Sequence, residues 1–247
     1  MKKPAAGGGR WVEVQPDRFP AWVREFGRRH GGAWPPEMDG AGVVITVRAA
    51  DGSVAECHPP FPPMGTITAR SLAEAEDREP GTEDREAGAD DGAWAERVAA
   101  HALAERTVGV LLARLGGFAV GVFAGSPPCL TASKTGSRPV HGRSAAGGWS
   151  QQRFARRREK QASEAMQAAA DAAANIFSRA RLDAVVLGGD RRAIAALAGD
   201  PRLKDCLDKA AGRFLTVPDP RLAVLRDAPR MFLAIRIRVI EPETQSP

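Results

Sequence analysis

Val108-Gly109-Val110-Leu111-Leu112-Ala113-Arg114-Leu115, then Gly116-Gly117, then Phe118-Ala119-Val120-Gly121-Val122-Phe123, is a pair of apolar runs around two glycines. Short apolar runs of this kind read as strands, and the glycine pair marks the turn between them, so the stretch predicts a hairpin. Residues 130–137 supply a third strand. Small and polar residues fill 134–150, and 151–181 then runs without proline as a helix rich in alanine, the best helix former and one that lets a helix lie close on a sheet. Phe154, Ala162, Ala165, Met166, Ala169, Ala173, Ile176 and Phe177 recur mostly at three- and four-residue steps and form its buried stripe. A short buried strand at 184–187 leads into Gly188-Gly189-Asp190, a helix follows at 191–198, and 214–217 is a further strand candidate.

Upstream, a strand at 10–14 is stopped by Pro16, and Pro20 sits where the first turn of a helix tolerates it. Phe19, Trp22, Val23 and Phe26 give that helix an apolar face, ended by Gly31-Gly32. Residues 43–49 and 53–57 flank Asp51-Gly52, a strong hairpin signal. Pro59-Pro60-Phe61-Pro62-Pro63 closes this small α+β unit, and a helix at 94–105 opens the next. At the far end 232–240 alternates apolar residues with Arg236 and Arg238, the pattern of an edge strand with its arginines facing water. The expected division is a small α+β domain at 1–72, an acidic linker at 73–92, and a domain at 93–247 that includes the C-terminal edge strand. Hairpin strands followed by a crossover helix into another strand describe an α/β fold whose main domain holds a mixed sheet of the ribonuclease-H-like type.

The 247 residues are 43% hydrophobic, yet no eighteen of them are uninterruptedly apolar, which excludes a spanning helix. The first nine residues carry charge without an apolar core behind it, unlike a secretory signal, so the expected location is the cytoplasm. Cys57, Cys129 and Cys206 are far apart and form no metal or disulfide pattern; reduced, mostly buried thiols are expected. Net charge is +5, but 74–91 holds nine acids against Arg78 and Arg85, a local −7, so the rest carries +12. The acidic segment has too few apolar residues to pack and reads as a solvated, mobile linker. The basic remainder suits a polyanion.

That basic excess is concentrated around Gly147-Gly148-Trp149-Ser150-Gln151-Gln152. Lys134, Arg138, Arg143, Arg153, Arg156, Arg157, Arg158 and Lys160 surround it, with Glu159 the one acid between 134 and 160. Arg153, Arg156, Arg157 and Lys160 fall at i, i+3, i+4 and i+7 and share one helix face. Like charges at a helix start oppose the dipole, so an outside anion must offset them, and RNA phosphates are the simplest. A glutamine has no useful pKa; it can orient a water or donate a hydrogen bond but cannot act as a general base. His141 is a phosphate or backbone contact more readily than a general base, since no Ser/His/Asp or Cys/His grouping accompanies it. Asp171, Asp183 and Asp190 could be imagined as nuclease metal ligands, but the strands at 108–115 and 118–123 lack the acids such a site needs, so neither metal nor cofactor is expected. Gly188-Gly189-Asp190 lacks the context of a phosphate loop and reads as a strand-to-helix turn capped by Asp190.

The string from Gly142-Arg143-Ser144-Ala145-Ala146-Gly147-Gly148 through Trp149-Ser150-Gln151-Gln152-Arg153-Phe154-Ala155-Arg156-Arg157-Arg158 resembles the actinobacterial Vms-like release factors, relatives of the catalytic domain of eukaryotic and archaeal class I release factors. Val120-Gly121-Val122-Phe123, Ser133-Lys134-Thr135-Gly136-Ser137-Arg138 and Val186-Leu187-Gly188-Gly189-Asp190 support the resemblance, which covers the second half of the chain. It implies a ribonuclease-H-like domain without a nuclease site, acting as a monomeric peptidyl-tRNA hydrolase on stalled or obstructed large ribosomal subunits, with rRNA and peptidyl-tRNA as partners. The family's Gly-x-x-Gln spacing falls on Gly148, Trp149, Ser150 and Gln151, with Gln152 as the other candidate amide. A non-enzymatic ribosome-binding module and a nuclease on the same fold are the rival readings.

Overall fold

The computed structural model describes residues 3–5, 8–64, 93–114, 116–137 and 149–242, with the backbone alone at 3, 149–160 and 162. In chain order the elements are β1 (Lys3–Pro4), β2 (Arg10–Val14), α1 (Phe19–Arg29), β3 (Glu37–Met38), β4 (Ile45–Arg48), β5 (Val54–His58) and α2 (Ala93–Leu103). There follow β6 (Val108–Arg114), β7 (Gly117–Ala124), β8 (Cys129–Ser137), α3 (Trp149–Phe177), β9 (Ala184–Gly189), α4 (Arg191–Ala198), α5 (Lys204–Leu207), β10 (Ala210–Leu215), α6 (Leu222–Phe232) and β11 (Ile235–Ile240). The chain forms two compact units, Met1–Ala104 with Leu233–Pro247, and Glu105–Phe232. The segment read as an acidic linker, 73–92, lies outside the described residues.

In the first unit six strands form an antiparallel sheet in the order β1-β2-β11-β5-β4-β3. The sheet buries Val14, Ile45, Val47, Ala55, Cys57, Ile235, Ile237 and Val239 in one core with Phe19, Val23 and Phe26 of α1 and Trp94, Ala95 and Val98 of α2. Trp94 meets the Phe19 ring edge-on at 5.6 Å. The Asp51-Gly52 turn forms as expected, Gly52 at φ +85 and the Asp51 carboxylate accepting the Ser53 N–H at 2.8 Å. β11 corrects the sequence reading. Its alternation is right, with Ile235, Ile237 and Val239 buried, but it is an interior strand bonded to β2 and β5 and no edge strand of the second unit. Alternation reports that one face is buried; it is silent on how many neighbours the backbone has. The half-buried arginines are engaged: Arg236 lies over the Trp11 ring at 4.3 Å, and Arg238 donates to Glu56 Oε2 at 3.2 Å. The helix at Ala93–Leu103 likewise belongs to this unit, so the chain divides near residue 104 and returns near 233, where the sequence suggested a single domain over 93–247.

The second unit is a five-stranded mixed sheet in the order β10-β9-β6-β7-β8. β6, β7 and β8 are antiparallel neighbours, while β9 and β10 run parallel to β6. Both faces are covered, which is why the opening runs are apolar without alternation. On one face Leu111, Ala113, Phe118, Val120 and Val122 share a core with Ala169, Ala173 and Phe177 of α3 and Ile194 and Leu197 of α4. On the other, Phe232 of α6 meets the Phe123 ring at 5.9 Å. Gly121 permits this approach: a Cβ there would sit 2.9 Å from Leu225 and 2.8 Å from Leu130. The helix Leu222–Phe232 has no counterpart in the sequence reading, and the strand expected at 214–217 spans Ala210–Leu215.

Candidate functional site

All three helices α3, α4 and α6 begin at one edge of the second sheet, because β8, β9 and β10 run in the same direction and each feeds one of them. The far end of α3 is fixed at the opposite edge, where Phe177 packs against Gly109 so closely that a Cβ there would meet its ring at 3.0 Å. From that anchor α3 runs 29 residues, about 43 Å at 1.5 Å per residue. β6 has seven residues and spans about 20–23 Å. The N-terminal turns of α3 therefore extend roughly 20 Å past the strand ends. Ala165, Ala169, Ala173 and Phe177 are buried, so the docked part is the C-terminal half.

The helix begins at Trp149, two residues earlier than the sequence suggested, which puts Ser150, Gln151 and Gln152 within its first turn. The first four N–H groups of a helix have no intrahelical acceptor, and the candidate amides stand among them. Arg153, Arg156, Arg157, Arg158 and Lys160 occupy the next turns of the same overshooting segment. Lys134 lies apart from them on β8, opposite Val120, and is exposed. Arg138, His141, Arg143, Gly147 and Gly148 lie outside the described residues.

The three aspartates considered as metal ligands each have structural work. Asp190 caps α4, its Oδ1 accepting the Arg192 N–H at 2.7 Å. Asp183 accepts the Thr107 N–H at 2.7 Å and so holds the entry to β6 beside the entry to β9. Asp171 pairs with Arg202 at 2.8 Å, and Arg202 also grips Asp200 at 2.7 Å, which keeps the Asp200 carboxyl below its usual range. Among the described residues no three His, Cys, Asp or Glu side chains gather as a ligand set. The cysteines differ in exposure: Cys57 is fully buried and its thiol pushed far up by desolvation, Cys206 is half-buried and also raised, and Cys129 is exposed. No described helix is long and apolar enough to cross a membrane.

Sequence reading missed the cations that the topology brings to this edge, Arg114, Arg191, Arg192 and Arg221. Arg114 ends β6 and donates to the Val217 carbonyl at 2.9 Å; Arg191 and Arg192 open α4; Arg221 precedes α6. Nothing in their spacing links them. The one local signal is a pair of arginines directly after a capping aspartate, where a helix ordinarily favours acids.

No curated protein matches the chain. A family model described as the Actinobacteria/chloroflexi VLRF1 release factor matches residues 106–238, more than half of the 247. The match begins two residues before β6 and takes in the five-stranded sheet, the overshooting helix and most of β11. A basic helix that carries two glutamines in its first turn and overshoots the strand ends of that sheet, under a family model spanning all of it, leads to one assignment: the chain belongs to the VLRF1 release factor family.

Proposed function

We propose that the protein is a peptidyl-tRNA hydrolase that cleaves the ester between nascent peptide and tRNA on stalled or obstructed large ribosomal subunits. The observation that carries the reading is the tip of α3: a cationic helix about twice the height of its sheet, with Gln151 and Gln152 in its first turn. A narrow protruding rod suits a buried RNA cavity better than an open surface does. Attack of water on the ester carbon forms an oxyanion, and the water's proton ends on the departing ribose oxygen. N–H groups without an intrahelical acceptor at a helix start and the Gln151 amide are donors suited to that oxyanion and to orienting the water. Neither needs a titrating side chain, in keeping with a glutamine at this place. Arg143, Arg153, Arg156, Arg157, Arg158, Lys160, Lys134, Arg138 and His141 would hold the surrounding rRNA and tRNA, with no metal and no cofactor taking part, in a monomeric cytoplasmic protein. Numbered within the unit, the strand order is third-second-first-fourth-fifth with the second antiparallel to the rest, which supports the ribonuclease-H-like reading. The structural duties of Asp171, Asp183 and Asp190 weigh against the nuclease alternative.

The test is peptide release from ribosome-bound peptidyl-tRNA. Gln151→Ala should lower release about tenfold to a thousandfold while subunit binding and melting stay unchanged, the scale for losing one positioned transition-state donor. Gln152→Ala should do less; the reverse ranking would move the register by one residue. Normal release by both variants would overturn the hydrolase reading and leave a passive ribosome-binding module.

A further inference from the structure

Arginine recurs where the helices of the second unit begin. Helix N-termini concentrate partial positive charge and are unfavourable places for cations. α4 nonetheless opens with Arg191 and Arg192 and has no acid in its first turn. Arg221 directly precedes α6, whose first turn also lacks an acid. α3 repeats the pattern with Arg153. Since the three helices start at the same edge, these unfavourable placements accumulate there.

The same edge receives Arg114 from the end of β6, next to the α4 turn through the Asp190 N–H to Ala113 carbonyl bond of 2.8 Å. Arg191 lies over the Phe214 ring at 4.4 Å, which fixes the plane of its guanidinium while the residue stays exposed. Arg192 and Arg221 are exposed and have no side-chain partner among the described residues. Asp190 answers them only as a backbone cap, and Asp219 stands 4.0 Å from Arg114. Unpaired guanidinium groups beside helix N-termini match a chain of phosphates.

We infer that the strand-end edge of the second unit, made by Arg114, Arg191, Arg192 and Arg221, is a second RNA-binding surface that grips phosphodiester backbone beside the base of the overshooting helix. It deepens the proposed function and rests on it for the ribosomal origin of the RNA. The division of labour follows from the geometry: the tip reaches the ester, and the edge holds the RNA through which the tip passes.

The experiment compares Arg192→Ala/Arg221→Ala with Arg179→Ala/Arg181→Ala, a pair with the same charge change at the opposite edge, just past the end of α3. Affinity for purified large subunits and for bulk tRNA is measured across a salt titration. The edge pair should lower the salt slope by about one to two units and weaken binding at low salt roughly tenfold, while the control pair changes neither. Release at limiting protein should fall in step with affinity in the edge pair and hold at the wild-type level in the control pair. Equal slopes for the edge pair and wild type, or an equal loss in the control pair, would overturn the inference. A loss confined to tRNA binding, with subunits not bound by the wild type, would keep the edge as an RNA surface and sink the ribosomal reading instead. Unchanged melting temperatures verify folding; should the edge pair melt early, Arg192→Gln/Arg221→Gln removes the charges and keeps the side-chain bulk.

Discussion

Gly189→Ala is the sharpest test of how β9 hands the chain to α4. Gly189 has φ +101, a region that L side chains rarely adopt, and forcing alanine there costs about 1–3 kcal/mol. A Cβ at this position would also overlap the Ala113 carbonyl of the neighbouring strand. That carbonyl cannot swing aside freely, since it accepts the Asp190 N–H at 2.8 Å, and losing the bond adds about 1 kcal/mol. The two contributions give roughly 3 kcal/mol, or about a hundredfold in the local opening equilibrium. Hydrogen exchange resolved by segment is the assay, because the two units need not unfold together. Amides of β6 and β9 should exchange about a hundredfold faster in the variant, while those of β5 and β11 keep their protection. Gly199→Ala serves as the control: Gly199 has φ −75 and its nearest Cβ neighbour would be 3.5 Å away, so protection should hold or rise slightly. Unchanged exchange in β6 and β9 of Gly189→Ala would refute the claim that this glycine is required by backbone geometry, and would reopen the motif as a ligand loop.

Asp190→Ala removes the cap on α4 and should cost about 1 kcal/mol, read as faster exchange in Arg191–Ala198. His58 offers a pH test. Burial holds its pKa below the ordinary histidine value, and its Nε2 has no hydrogen-bond partner, so the folded state favours the neutral ring. A group whose folded pKa is depressed contributes stability that is present above the unfolded pKa, near 6.5, and is lost as pH falls through the folded one. First-unit stability should therefore fall between pH 7 and pH 5 by urea midpoint, and His58→Phe should flatten that fall. An equal pH dependence in the variant would show that another group is responsible.

Legibility tracked the range of the interaction. The hairpin of β6 and β7 was readable because its two apolar runs adjoin in sequence, and α3 because alanine content and stripe spacing are local properties. The Asp190 cap was equally local. β11 was recognised as a strand but assigned to the wrong sheet, since its partners β2 and β5 lie about 180 to 225 residues away and its own pattern cannot name them. The helix Leu222–Phe232 escaped notice because Pro229 stands inside it and a proline argues for a break. At the site, the glutamines and arginines of 150–160 were legible as one contiguous string. Arg114, Arg191, Arg192 and Arg221 were not, because only the parallel course of β6, β9 and β10 brings their positions to one edge.

The place of β11 also sets an order of events during synthesis. A chain emerging from its N-terminus makes β2, β3, β4 and β5 before the second unit, yet β2 and β5 are joined only through β11, made after it. Until then two strand edges that are interior in the finished protein remain open to pairing with other chains. The second unit has no such dependence, because every strand of its sheet has been made before β11 begins. Of the two units, the one that starts earlier is thus the one that finishes later, and a chain cut short before residue 235 would hold a five-stranded sheet able to assemble beside a first sheet split in two.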